Sequence, residues 1–304
     1  MPGPLRNKMA TVIAAAERAV AVPHAPAEAP IILVFDSGVG GLSVLREIAR
    51  ARPDAAFVYA ADDAGFPYGA LADRDLVARV NAVMDALIAR VRPALAVIAC
   101  NTASTLALPS LRAHHPELPF VGTVPAVKPA CAASASRRVS ILATPGTVRR
   151  DYTADLIRQF ASGCEVTLVP SARLAGFVEA ELAGSPVDDA DLAAEIGPCF
   201  VDADGRRTDT VVLACTHYPL IVERLGRVAP WPVAFVDPAP AIARRVVHLA
   251  AERFAEGTLE PRLPSPPIQL LSTLRPLSAK LVASILGRPA AAPELFTPAL
   301  EGVS

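Results

Sequence analysis

"AVIACNTAST", residues 96–105, and "VVLACTHYPL", residues 211–220, decide how this chain is read. In each, an apolar run of strand type ends on a cysteine, and amide, hydroxyl or imidazole side chains follow at once. Such a run, bounded by polar residues, reads as a strand buried on both faces. Working outward from the first stretch, "IILVF" (31–35), "AFVYA" (56–60), "ALAVIA" (94–99) and the short "PFVG" (119–122) are predicted strands. Between them fall amphipathic helical windows over 41–51, from Asp73 to about Val91, and from Ala103. Around the second stretch the rhythm restarts, with strands "RVSILA" (138–143), "EVTLVP" (165–170), "TVVLA" (210–214) and "PVAFV" (232–236). Helices are predicted over 147–161, from about Ser171, from about Asp188 and beyond Pro219. Strands alternating with helices predict parallel sheets covered on both faces, and two comparable runs predict two similar α/β domains. Each cysteine closes the third strand of its run. Ligands of open parallel sheets bind beyond the carboxyl ends of the strands, so two facing domains would bring both thiols to one interdomain cleft. The tail from "IQLLST" (268–273) is expected to complete the first domain.

The chain has 304 residues, 52% of them hydrophobic and 19% charged, a composition that supports well-packed globular domains. Its formal net charge of −1 gives no field to gather nucleic acid or an anionic membrane. Residues 1–30 read as a partly helical or disordered extension. Glu17 and Arg18 interrupt its apolar stretch too early for a secretory or spanning segment, and a Pro/Ala linker follows. A cytoplasmic location is expected. The five cysteines are widely spaced and include no C-x-x-C, which disfavours a disulfide framework or a zinc ribbon and fits a reducing compartment.

Several short motifs carry polar groups at strand ends. "FDSGVGGLS" (35–43) turns from a strand into a helix, and its glycines allow free amides to hold an anion. It lacks the third glycine of a dinucleotide fingerprint, so a nicotinamide cofactor, with Asp63 as ribose acid, is a minor alternative. Asp36 places a carboxylate at the cleft mouth; taken alone, such a residue is more often a loop or capping acid than a catalytic group. "GFPYGAL" (65–71) is a turn with Tyr68 half buried, or a loop whose Tyr68–Gly69 backbone lines a pocket. A single strand-end cysteine is ordinarily a small core residue, yet Cys100 and Cys215 repeat one context. Cys131, Cys164 and Cys199 lack that context and read as structural. Asn101, Thr102 and Thr216 offer hydrogen-bond donors for a carboxylate or an acceptor for an amino group. His217 stands where an imidazole can take a proton from the Cys215 thiol. A zinc site at Cys100, Cys215 and His217 lacks a further ligand at a usual spacing. Thr144 and Thr147, after the strand at 138–143, either cap a helix or meet a ligand carboxylate.

Taken in order, "VFDSGVGGLSVL", "PYG", "ACNTAST", "VGTVPAVKPA", "LATPGTVRRDY" and "VVLACTHYPL" resemble the glutamate racemases of the cofactor-independent aspartate/glutamate racemase superfamily. The resemblance covers residues 31 to about 250. It implies two α/β domains related by pseudo-twofold symmetry, 31–124 with 238–304 and 125–237, with the substrate between them. It implies Cys100 and Cys215 as paired catalytic thiols, assisted by Asp36 and His217, with Glu179 as a supporting carboxylate and Glu181 as the alternative. It implies glutamate contacts at Asp36, Ser37, Tyr68, Gly69, Asn101, Thr102, Thr216 and His217, and no cofactor or metal. D-glutamate for peptidoglycan is the implied product, a cell-wall nucleotide precursor an implied activator, and a homodimer a common assembly. Racemisation of aspartate, or a regulatory role such as inhibition of DNA gyrase on a silent version of the fold, are the alternatives. A chiral assay separates the first from glutamate racemisation, and hydrogen exchange at Cα separates an enzyme from a silent binder.

Overall fold

A computed structural model describes residues 30–253 and 266–298; the predicted extension, apart from Pro30, lies outside the described residues. The first sheet holds strands β1 (Ile31–Asp36), β2 (Ala56–Ala61), β3 (Leu95–Ile98) and β4 (Phe120–Gly122). The second holds β5 (Arg138–Ala143) and β6 (Glu165–Pro170), and then, after a small hairpin of β7 (Asp202–Ala203) and β8 (Arg206–Arg207), β9 (Thr210–Ala214) and β10 (Ala234–Val236). The chain then returns, and β11 (Ile268–Ser272) and β12 (Ala290–Leu295) extend the first sheet beyond β2. The strand orders are β12-β11-β2-β1-β3-β4 and β10-β9-β5-β6, and every pairing within the two sheets is parallel. Read from the centre, β2-β1-β3-β4 and β6-β5-β9-β10 are the same arrangement. The short hairpin had no counterpart in the sequence reading.

Alternate side chains of β1 divide between two cores, as a strand's period of two requires. Ile32 and Val34 pack with the helices Leu42–Ala51, Ala239–Arg253 and Ala279–Leu286. Leu33 and Phe35 pack with Asp73–Val91 and Leu108–His114 on the opposite face. The second sheet is covered in the same way, Leu142, Val211 and Leu213 meeting the helices Leu174–Leu182 and Asp189–Ile196, and Ile141 and Val212 meeting Val127–Ala133. These doubly covered sheets explain why the strands read as continuous apolar runs rather than alternating ones.

Local differences from the sequence reading have local causes. The helix predicted over 147–161 is two pieces, Pro145–Val148 and Asp151–Phe160, because Arg150 is extended (φ −82°, ψ 138°) and starts the second piece. The helix after Cys100 begins at Asn101, not Ala103, so Asn101 and Thr102 occupy its first turn. Parallel register sets Phe35 opposite Ile98 and Ala143 opposite Ala214, which brings Asp36 close to Cys100, and Thr144 close to Cys215, at matching sheet ends.

Candidate active site

Both strand-end thiols open onto one cavity between the halves. It is lined by Asp36, Ser37, Cys100 and Asn101 of the first half and by Thr144, Cys215 and His217 of the second. Tyr68, Gly69, Thr102 and Thr216 also line it, with Phe66, Pro67, Ala175 and Ala214, so every residue expected to touch substrate is gathered there. Each thiol is 6% exposed. The cavity measures about 20 Å³, room for little more than one water molecule.

The two thiols have different attendants. Cys100 has Ser37 Oγ at 3.9 Å and stands beside the Asp36 carboxylate. Burial, and then the Asp36 charge, push the Cys100 thiol well above its ordinary pKa. Asp36 is itself wholly buried, which raises its pKa to about 6 against the lowering effects of His217 and of the Ser37 and Gly41 amides. Those amides donate to its two oxygens, at 2.8 and 2.5 Å. Cys215 Sγ lies 3.7 Å from His217 Nδ1, and His217 Nε2 lies 2.9 Å from Glu179 Oε1. Burial pulls the imidazole down, but hydrogen bonds to Cys215 and Glu179, with the Cys215 and Asp36 charges, outweigh it and hold the pKa well above the ordinary histidine value. Burial also raises Glu179, yet the His217 contact and the Val39 amide prevail and leave its carboxyl below the usual range.

Glu179 reaches across from the other half: its Oε1 accepts the Val39 amide at 2.7 Å. Glu181, the alternative, pairs instead with Arg224 and stays away from the cavity. The "GVGG" turn therefore does hold anions, but they are the protein's own carboxylates, Asp36 and Glu179. Its glycines serve close approach as well as turning. A Cβ on Gly38 would overlap Glu179 Oε1, and one on Gly40 would come within 2.7 Å of His217 Cε1 and of Thr216 Oγ1.

Asn101 is buried, and among the described residues neither its amide oxygen nor its nitrogen has a hydrogen-bond partner. An unpaired buried amide carries a desolvation penalty, and one lining a cavity is relieved by a ligand that offers both a donor and an acceptor. The ammonium and carboxylate of an amino acid are such a pair. Thr102 and Thr144 join the halves with a 3.0 Å hydroxyl contact, and Thr144 also caps the helix at Pro145, as one of its two sequence-based readings has it.

Tyr68 is 2% exposed rather than half buried, because its hydroxyl donates to Asp62 at 2.6 Å inside the fold. Asp62, which sequence reasoning passed over, also receives Arg79 through Nε and Nη2 and the Thr273 hydroxyl, bracing the loop that carries Tyr68 and Gly69. Asp63 accepts the backbone amides of Thr273, Leu274 and Arg275 and is a clamp on the tail, which corrects its reading as a ribose acid. Ser43 and Tyr59 were also missed: Ser43 Oγ reaches Thr216 O at 2.8 Å across the halves, and Tyr59 Oη donates to Gly38 O at 2.6 Å. A tyrosine in an otherwise apolar strand was the available signal for the second. Among the described residues, no group of three or more His, Cys, Asp or Glu side chains is arranged to hold a metal ion. No described helix is long and apolar enough to cross a membrane.

Comparison with known proteins identifies the family. The family model for Asp/Glu/hydantoin racemases matches residues 32–246. A glutamate racemase of Brucella anthropi is 56% identical over 239 residues, spanning 79% of this chain and 86% of that protein. The Brucella canis glutamate racemase is 56% identical over 233 residues, 76% of this chain and 84% of that one. Among solved structures, Escherichia coli glutamate racemase in complex with L-glutamate and the activator UDP-MurNAc-Ala superposes with a TM-score of 0.78 at 39% identity, covering 89% of this chain and 99% of that one. The chain belongs to the Asp/Glu/hydantoin racemase family, as an isomerase of its glutamate-racemising branch.

Proposed function

We propose that this chain interconverts L- and D-glutamate by two-base proton transfer, Cys100 and Cys215 acting on opposite faces of Cα. Racemisation removes a proton from one face and returns one to the other, which a single fixed base reaches poorly. The observation that carries the reading is the convergence of two thiols from separate halves on one cavity that also holds the unpartnered Asn101 amide. In one direction Cys215, with His217 taking its proton, is the base and the Cys100 thiol the acid. In the other, Asp36 takes the Cys100 proton and the roles exchange. Ser37, the Tyr68–Gly69 backbone, Asn101, Thr102 and Thr216 hold the substrate as negative charge builds on its carboxylate. Closure of 31–124 with 238–304 onto 125–237 excludes water and strengthens every polar contact within.

The test is direct. Cys100→Ala and Cys215→Ala should each abolish turnover in both directions while leaving cooperative unfolding unchanged. In D₂O the wild type should place deuterium in the newly formed enantiomer and none in the remaining substrate. Near wild-type turnover by either variant, in both directions, refutes the scheme.

The reading extends to biology and control. D-glutamate made in the cytoplasm would feed peptidoglycan synthesis, and the active form would be a homodimer, which light scattering on the full chain decides. A second cavity, of about 530 Å³, lies where the chain crosses between halves, at Val124, Pro125 and Pro238. Arg112, Lys128 and Arg245 line it together with Tyr152 and Phe160, a set that suits a nucleotide's phosphates and base. The "VPAVKPA" stretch supplies this wall, and the Escherichia coli relative binds UDP-MurNAc-Ala as an activator. Activation of this chain by that nucleotide, lost in Arg245→Ala without loss of basal turnover, is the expected result.

A further inference from the structure

Two-base chemistry leaves the protein in a different protonation state after each turnover. When Cys215 has taken the Cα proton and Cys100 has given one up, the next molecule of the same enantiomer finds its base protonated and its acid spent. One proton must leave and one must enter before the cycle repeats. A proton path from Cys215 that does not pass through the substrate cavity would let this reset proceed without displacing what the cavity holds.

Glu179 stands on such a route. It is absent from the wall of the substrate cavity but lines a separate outer cavity of about 490 Å³, with Gly38, Val39, Gly176, Asp63 and Arg275. Its Oε1 faces inward, to His217 Nε2 and the Val39 amide. Its Oε2 makes no hydrogen bond among the described residues, and the side chain is 24% exposed, whereas His217 is 3% exposed. One carboxylate thus stands between the buried relay and the outer cavity. The helix Leu174–Leu182 keeps the outer side clear, because among the described residues nothing beyond Gly176's own stretch of helix lies within 4 Å of where a Cβ on it would stand. The charged and titratable groups around the relay are Asp36, Cys100 and Cys215 inside, and Asp63 and Arg275 outside. The Cys100 side has no matching exit: Asp36 is wholly buried, and its oxygens are held by internal amides and the Thr216 hydroxyl.

We propose that Glu179 and the outer cavity form the proton port that resets the site between turnovers, an assignment that rests on the two-base reading. The His217 imidazolium, which already holds the first Cys215 proton on Nδ1, gives its Nε2 proton to Glu179 Oε1. The carboxyl group turns about its Cγ–Cδ bond and releases that proton to water in the outer cavity. His217 is left neutral with its proton on Nδ1; once that proton has exchanged with water for one on Nε2, Cys215 passes its new proton to Nδ1 and the thiolate–imidazolium pair is restored. Once product leaves, water in the substrate cavity returns a proton to the Cys100 thiol that lines it, so one proton has left and one has entered. The reverse direction runs the same path inward.

The experiment follows net racemisation by the full-length protein in each direction, across total glutamate concentrations from below KM to far above it. If the two free forms interconvert slowly, accumulated product rebinds the form it has just left. The net rate then passes through a maximum and falls. Wild type should show a plain plateau. Gly176→Leu fills the outer cavity without touching substrate residues and replaces a helical glycine by a better helix former, so it should fold. It should keep wild-type rates at low glutamate and lose net rate at high glutamate. Glu179→Gln keeps an oxygen to accept from Val39 and His217 but cannot carry a proton, and should show the same downturn. Plateaus in both variants overturn the port, as does a downturn in Glu179→Gln alone, which would leave the outer cavity without a part. Deuterium entering the unreacted enantiomer in wild type instead overturns the two-base scheme itself, and is seen independently of either variant.

Discussion

Replacing Gly40 by alanine adds one methyl group at the seam between the halves. Gly40 does not use a left-handed conformation, so alanine suits the backbone there. The obstacle is on the facing wall, where the new carbon would stand 2.7 Å from both His217 Cε1 and Thr216 Oγ1. Ordinary contact begins near 3.4 Å, so the imidazole edge must retreat by at least 0.7 Å, and by more at Nδ1, the atom that faces Cys215. A misplacement on the order of 1 Å costs about 10²-fold in rate when it falls on a group that must be in position for chemistry. That is about 3 kcal/mol on the barrier. Stability should not fall in parallel, because the halves can relieve the contact by parting, and alanine restricts the unfolded chain by roughly 0.4–1 kcal/mol. A chiral assay of kcat in both directions, run beside thermal unfolding, reads both quantities. Gly176→Ala, where the space is open, is the control and should leave kcat unchanged. A Gly40→Ala protein with kcat close to wild type refutes the argument that close approach of His217 is what this glycine provides.

Other expectations follow from the same geometry. Asp36, raised to about 6, must be ionised to take the Cys100 proton, so kcat/KM in the direction that uses Cys100 as base should fall as pH drops through about 6. Protonation below that value blocks the acceptor, and a pH–rate profile shows whether the limb disappears in Asp36→Asn. Asp62→Ala leaves Arg79 without its buried carboxylate and frees the Tyr68 hydroxyl, and should cost ~3 kcal/mol in urea unfolding, with a rise in KM as the Tyr68–Gly69 loop loosens. An unchanged urea midpoint would show that the brace is not what holds that loop. Glu181→Gln should leave turnover unaltered, since Arg224 and not His217 is its partner.

What the sequence disclosed followed from local pattern. The doubly buried strands are unbroken apolar runs, so their positions could be read, and with them the strand-end places of Asp36, Cys100, Asn101, Thr102, Cys215 and Thr216. Contacts across the halves left no such trace. Nothing periodic links Val39 to Glu179, 140 residues away, or Ser43 to Thr216, 173 residues away. Glu179 and Glu181 are equally plausible surface acids until the helix Leu174–Leu182 is seen to turn the first toward His217. The "GVGG" glycines read as freedom for a turn, whereas much of their purpose is the bulk of side chains from the opposite half. Tyr68 was misjudged for a similar reason: the acceptor that makes its burial tolerable, Asp62, lies in the preceding loop and carries no motif of its own.

The repeated strand order, β2-β1-β3-β4 in one sheet and β6-β5-β9-β10 in the other, suits a reaction with no downhill side. Mirror-image amino acids have equal free energies in water, so a catalyst is bound by thermodynamics to serve forward and backward traffic without preference at equilibrium. A scaffold built twice from one plan meets that obligation by construction, offering either antipode a wall of the same design. Where the copies diverge, at a carboxylate on one side and an imidazole on the other, they can alter only how quickly each antipode is processed, never the final one-to-one mixture.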